Sequence, residues 1–285
     1  MKCVKYWKGE GRLRIWTAQP KNFSIMLKSL NEVVMPRRLY RRFSALSLII
    51  LLQVKILNAD EPLSPNTLTT QEVAEGWQLL FDGKSMSEWR GIHRETIPDC
   101  WQIVNGELVL SFSVIQECGD LITKQKFADF DLYWEWKMLE KGCNSGLKYY
   151  VQEELSSGNS GIGLEYQLLD DGGHELILLG RMSPNDYHSL AALYEIYPTS
   201  NKTVRPLGEW NSSRIYSHER RIEHWLNGEK VMQCVRGSRD FHKRVANSKF
   251  SVFPSFGEAE SGYILLQQHG GVIAFRSIKI HPLGK

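Results

Sequence analysis

Phe130-Asp-Leu-Tyr-Trp-Glu-Trp-Lys-Met138 alternates without a break: Asp131, Tyr133, Glu135 and Lys137 fall on one side, Leu132, Trp134, Trp136 and Met138 on the other. Side chains two apart on a strand point the same way, so a period of two predicts a β-strand with one face on a core. The pattern continues outward in both directions. Before it, Trp101-Gln-Ile-Val-Asn-Gly-Glu-Leu-Val-Leu110 is two short strand-like runs about Asn105-Gly106, a strong hairpin signal. After it, the runs 147–151, 164–169, 221–226, 263–268 and 273–280 have strand character, and Asn227-Gly228 predicts a second hairpin. Many short strands, frequent turn signals and no long amphipathic helical run predict an all-β sandwich or jelly roll. The Pro-containing stretch of roughly 171–208 is expected to be a long loop of the kind that carries function.

The chain has 285 residues, 42% hydrophobic and 11% aromatic, enough for a full core. Its net charge of +3 is unevenly spread. Residues 1–59 hold 12 Lys or Arg against Glu10 and Glu32, leaving 23 basic and 30 acidic residues, a net of −7, in the rest. A body of that sign repels phosphate backbones, so nucleic acid is not an expected partner. The basic excess is the mark of a targeting segment: Met35-Pro-Arg-Arg-Leu-Tyr-Arg-Arg42 precedes the apolar run Phe43–Val54, which is too short to span a bilayer comfortably. Residues 35–59 are therefore expected to be a cleaved signal peptide and the protein to be exported, periplasmic or extracellular, with no membrane span retained. Residues 1–34 are expected to come from a misassigned start, 60–75 to be a linker, and 76–285 to form a single domain. In an oxidising compartment Cys100, Cys118, Cys143 and Cys234 can pair; Cys100–Cys118 with Cys143–Cys234 fits the local sequence, and four reduced, buried thiols are the alternative.

Phosphate loops, dinucleotide fingerprints, zinc-protease and serine-hydrolase motifs are absent from the sequence. The strands instead carry acids, amides and imidazoles among rings. Glu135 lies between Trp134 and Trp136; Glu165 and Gln167 share a strand face; Glu223, His224 and Trp225 precede a turn; Gln267 and His269 end a strand before Gly270-Gly271. Rings stack on the C–H faces of sugars while acids and amides read hydroxyls, so this mixture points to carbohydrate. Glu135 is open to two placements, a solvated outer face or a cleft shared with Glu165.

Gly76-Trp-Gln-Leu-Leu-Phe-Asp-Gly-Lys84, Gly119-Asp-Leu-Ile-Thr123, Asn144-Ser-Gly146, Glu165-Tyr-Gln-Leu-Leu-Asp170, Ala192-Leu-Tyr194, Gly208-Glu-Trp-Asn211, Glu223-His-Trp-Leu-Asn-Gly228 and Leu266-Gln-Gln-His-Gly270 with Phe275-Arg276 resemble, in order, the DUF1080 or 3-keto-disaccharide hydrolase domains. Lys148 after Asn-Ser-Gly and Gln268 depart from the usual pattern. The resemblance implies a concanavalin-like, laminin-G-like jelly roll of two curved antiparallel sheets acting on an oligosaccharide or glycoside oxidised at carbon 3 by a separate, upstream sugar 3-oxidoreductase. It implies elimination: a base removes the proton at carbon 2, made acidic by the ketone, and the glycosidic oxygen leaves carbon 1. Glu165, in the most specific block, is the expected base, with His269 and Glu135 as catalytic partners. Asn144, Gln167, Tyr194, Trp210, His224, Gln267 and Arg276 are the expected substrate contacts. A divalent cation held by carboxylate and imidazole is one means of polarising the ketone. A non-catalytic carbohydrate-binding sandwich would need the same residues without the base.

Overall fold

A computed structural model describes residues 64–111 and 118–284. The expected leader, 1–59, lies outside them, and no helix among the described residues is long and apolar enough to cross a membrane. Two antiparallel sheets form a jelly-roll sandwich. The larger is built from β1 (Gln78–Leu79), β3 (Trp101–Val104), β4 (Glu107–Leu110), β6 (Phe130–Met138), β9 (Asn211–His218), β10 (Arg221–Leu226), β11 (Glu229–Val235) and β13 (Ile273–Pro282). Its order is β11-β10-β9-β6-β13-β4-β3, with β1 also on β13. The smaller contains β2 (Trp89–Gly91), β5 (Leu121–Thr123), β7 (Asn144–Ser157), β8 (Ser160–Leu169) and β12 (Tyr263–Leu266), in the order β2-β5-β12-β7-β8.

The period-two pattern sets which side of each strand is buried. Leu132, Trp134, Trp136 and Met138 of β6 enter the core, meeting Leu147, Tyr149, Leu164, Tyr166 and Leu168 from β7 and β8. Trp134 packs edge-on to Tyr166 with ring centroids 5.0 Å apart. Burying side chains of this size stabilises the sandwich by roughly 1.5–3 kcal/mol each. Both Asn-Gly turns form as expected: Asn105 and Gly106 have φ of 52° and 80°, Asn227 and Gly228 of 49° and 84°. Positive φ at both central residues matches the twist of the strands they join.

Two expectations differ from the structure. Residues 66–75 are not a free linker. Asn66 exchanges hydrogen bonds with the Ser277 backbone and hydroxyl and donates to Gly106 O, while α1 (Thr70–Glu75) is fixed by a capping box between Thr69 and Glu72. The Thr-x-x-Glu signature was present in the sequence, but six residues are too few to show a helical period. Cys100 and Cys118 form a disulfide, whereas Cys143 and Cys234 remain free and buried. Cys143 immediately precedes β7 of the smaller sheet and Cys234 lies within β11 of the larger, and burial pushes both thiols up to about 12.

Candidate active site

The outer face of the smaller sheet holds a recess of about 200 Å³. On β8 the outward positions are Gly161, Gly163, Glu165 and Gln167; Val151 packs close over the two glycines, and the two polar side chains furnish the recess. Across the ladder, Lys148 of β7 pairs with Glu165 and Gly146 with Gln167. A Cβ at position 146 would overlap Glu165 Oε1, so the glycine leaves the space that the carboxylate fills. His269 is held by the backbone on both sides, through Gln267 N–H on Gly146 O and the reciprocal pair between Asn144 and Gly270. The recess wall comes from residues 189–197, which run beside β8 as an irregular extra strand: Ala191 N–H donates to Gln167 O, and Tyr194 N–H to Glu165 O at 3.0 Å. Lys249 and Phe250, from a 3-10 turn (Lys249–Val252) after α2 (Arg239–Ala246), close the rim.

Glu165 is only 6% exposed, and burial, reinforced by Asp120, raises its pKa against the opposing pull of Lys148 and Lys249. Lys148 Nζ stands 3.9 Å from Glu165 Oε2 and donates to Gly161 O. With their NH₂ groups toward it, the amides of Gln167 and Gln267 lie 3.1 and 3.2 Å from Glu165 Oε1. Asp120, wholly buried, accepts from the N–H groups of Gly161 and Gln268, and burial raises its pKa too. His269, at the rim, has its pKa lowered by burial and by Lys148 and Lys249. The result is a poised carboxylate with a cation beside it and hydrogen-bonding amides around it. Among the described residues no three His, Cys, Asp or Glu side chains come together as a metal site. With the Lys148 ammonium against Glu165, the recess is not furnished for a divalent cation, and no step below uses one.

Glu165, His269, Asn144, Gln167, Tyr194 and Gln267 therefore share the recess. Glu135, Arg276 and Trp210 do not. Glu135 lies on β6 in the larger sheet, on the face away from the core, where Arg276 Nε donates to its carboxylate at 2.8 Å. The Arg276 guanidinium and Lys137 ammonium lie 4.0 and 4.6 Å from the Trp210 ring centroid, so this is a surface ladder of ions and rings, across the sandwich from the recess. His224 is in the core, with Ile222 and Leu226 on the same side of β10. Its Nδ1 is 2.9 Å from Ala191 O and its Nε2 is 2.9 Å from the Tyr149 hydroxyl. It supports the recess wall from behind and is out of reach of a substrate. Sequence reasoning missed Lys249, which no motif marks, and treated Lys148 only as a departure from the family pattern.

A jelly roll with a buried carboxylate, amides and an imidazole in one sugar-sized recess defines a carbohydrate-active, glycoside-cleaving enzyme. The family profile described as the 3-keto-alpha-glucoside-1,2-lyase-like domain matches residues 76–281, and the chain belongs to that family. A 3-keto-disaccharide hydrolase of Bacteroides thetaiotaomicron is 32% identical over 234 residues, 74% of this chain and 79% of that protein. Among solved structures, a candidate glycosyl hydrolase from Parabacteroides distasonis is 33% identical with a TM-score of 0.69, covering 78% of this chain and 100% of that one. A second from the same organism is 26% identical with a TM-score of 0.53, over 73% and 99%.

Proposed function

We propose that this enzyme cleaves 3-keto-glycosides by elimination and hydration, with Glu165 as the base. The observation that carries the reading is the buried Glu165 carboxylate, its pKa raised, at the floor of a recess that also holds Lys148. A desolvated carboxylate is a competent base near neutral pH, and the carbon-2 proton of a 3-keto sugar is acidic enough for it to remove. Charge then develops on the ketone oxygen, where Lys148 and the Gln167 and Gln267 amides offer stabilisation. The glycosidic oxygen leaves carbon 1, and water adds to the resulting enone. The substrate must first be oxidised at carbon 3, so a sugar 3-oxidoreductase acts upstream. The basic-then-apolar segment 35–54 and the Cys100–Cys118 disulfide support action outside the cytoplasm. Automated N-terminal sequencing of the native protein tests this, an end near Asp60 being expected.

The test of the chemistry is turnover of a 3-keto-disaccharide beside its unoxidised parent, in deuterated water. Cleavage of the keto-sugar alone, with solvent deuterium entering carbon 2, is expected. Glu165→Gln should lower turnover by at least ~100-fold while keto-sugar binding survives. Cleavage of the unoxidised sugar at a comparable rate would overturn the reading.

A further inference from the structure

Elimination needs a proton for the departing glycosidic oxygen, and Glu165, the base, cannot supply it at that moment. His269 and Tyr194 are the hydrogen-bearing groups at the recess that sequence and structure both bring forward. His269 is poorly suited, because burial and the ammonium groups of Lys148 and Lys249 favour its neutral ring, and a neutral imidazole is a weak acid. We propose that Tyr194 is the acid that protonates the leaving oxygen and that Lys249 is the positioning residue that equips it to do so. The inference rests on the 3-keto-glycoside reading and extends it to a second catalytic group.

The geometry is specific. Lys249 Nζ donates to the Tyr194 phenolic oxygen at 3.2 Å and lies 4.3 Å from the ring centroid. The phenol already receives this bond and finds no acceptor of its own among the described residues, so its proton is available to a substrate oxygen. When the proton leaves, negative charge appears on the atom that the ammonium already touches. Tyr194 is tied to the base through its backbone, which donates to Glu165 O. The charged and titratable groups around it are Lys249 from the 3-10 turn, Glu165 on β8, and Glu195, His188 and Asp186 from its own loop. Glu195 Oε1 is 3.9 Å from Lys249 and 3.2 Å from His188 Nε2, while His188 Nδ1 is 2.7 Å from Asp186. This chain of polar groups reaches Lys249 from the loop that carries Tyr194, with the His188 ring packed edge-on to the Tyr194 ring at 5.2 Å. Ala191 and Glu195, with φ of 65° and 68°, bracket Tyr194 in a backbone shape that ordinary residues rarely adopt.

The electrons and protons balance as follows. Glu165 takes the carbon-2 proton, the released pair forms the C1=C2 double bond, and the C1–O bond breaks toward oxygen. That oxygen takes the Tyr194 proton, leaving a phenolate beside Lys249. Water then adds at carbon 1, giving one proton to the phenolate, while protonated Glu165, after exchanging with solvent, delivers a proton to carbon 2. One water is consumed and both side chains are restored.

Leaving groups that differ in their need for a proton provide the test: methyl and p-nitrophenyl 3-keto-glucosides with wild type, Tyr194→Phe, Lys249→Met and Lys249→Arg. For Tyr194→Phe the loss on the methyl glycoside should exceed that on the nitrophenyl glycoside by about 100-fold, the size of a general-acid contribution. Lys249→Met should lower kcat with little change in KM and show the same leaving-group bias as Tyr194→Phe, because the phenol loses the hydrogen bond that holds it, and Lys249→Arg should restore both. Equal losses on the two glycosides, or no loss on either, would overturn the proposal while leaving the elimination reading intact. A wild-type enzyme inactive on both keto-glycosides would overturn the elimination reading itself, and the acid assignment with it.

Discussion

Gly146 and Glu165 are diagonal neighbours across the β7–β8 ladder, and the carboxylate occupies the space that a side chain on Gly146 would need. An alanine at position 146 would push the carboxylate out of the pocket formed by the two amides. Gly146→Ala is expected to lower turnover by about 100-fold, as small displacements of a reacting group do. Overpacking should cost about 1–3 kcal/mol, which circular-dichroism melting would record as a drop of several degrees in a folded protein. Unchanged turnover would mean that the carboxylate position does not matter to the reaction. The same pair of strands shows where residue-scale reading stops. Alternation tells one strand face from the other: it set Glu135 opposite the Trp134 and Trp136 face of β6 and Glu165 on the same face as Gln167. A sandwich has two outward faces, however, and a period of two carries no information about which sheet a strand joins. Glu135 consequently meets Arg276 on one side of the molecule and Glu165 meets Lys148 on the other. For His224 the phase did hold the answer: Ile222 and Leu226 share its side, and all three are buried.

At the scale of elements, strands and hairpins were legible because their signals are local: Asn-Gly at a turn, alternating rings along β6. The pieces that complete the recess were not, because each depends on what lies next to it in space. Tyr194, marked in the sequence by the family resemblance alone, belongs to an irregular segment held by backbone bonds to β8, and Lys249, unmarked, to a single 3-10 turn. Residues 66–75 belong to this group as well. The polar helix α1 buries none of its residues and is held by its ends: Thr69 caps it, Glu72 pairs with Lys279 of β13, and Asn66 anchors the preceding chain to Ser277. Thr69→Ala removes the cap and should cost about 1 kcal/mol, seen as a lower urea midpoint with turnover unaltered, since the helix lies on the larger sheet and the recess on the smaller. A turnover change as large as that of the recess variants would show that the two faces are coupled.

Across the whole molecule, His224 joins the two sheets to the recess wall. It stands on β10 of the larger sheet, and its ring bonds to Tyr149 of the smaller sheet and to the 189–197 segment through Ala191 O. A carbonyl can only accept, so Nδ1 carries the proton, and Nε2 accepts from the Tyr149 hydroxyl. This tautomer satisfies both partners only while the ring is neutral; a second proton would face the Tyr149 oxygen and place a charge in a dry core. Burial accordingly lowers the pKa of His224 from 6.5 to about 3. Between those values the unfolded chain binds a proton that the native state refuses, so native stability falls as the pH drops below about 6.5, at a slope approaching ~1.4 kcal/mol per pH unit. Above that range the histidine is neutral in both states and contributes no pH dependence. Replacing it with glutamine keeps polar groups for Tyr149 and Ala191 and removes the titration. His224→Gln should be less stable than wild type at pH 7, through imperfect packing, yet lose stability less steeply on acidification. Urea midpoints for both proteins at several pH values from 7 down to 4 would measure the two slopes; equal slopes would show that His224 is not the source of the acid sensitivity. Because Ala191 lies three residues before Tyr194 on the same segment, the variant should also slow turnover at pH 7 without touching the substrate. Core stability and recess geometry thus depend on one neutral imidazole.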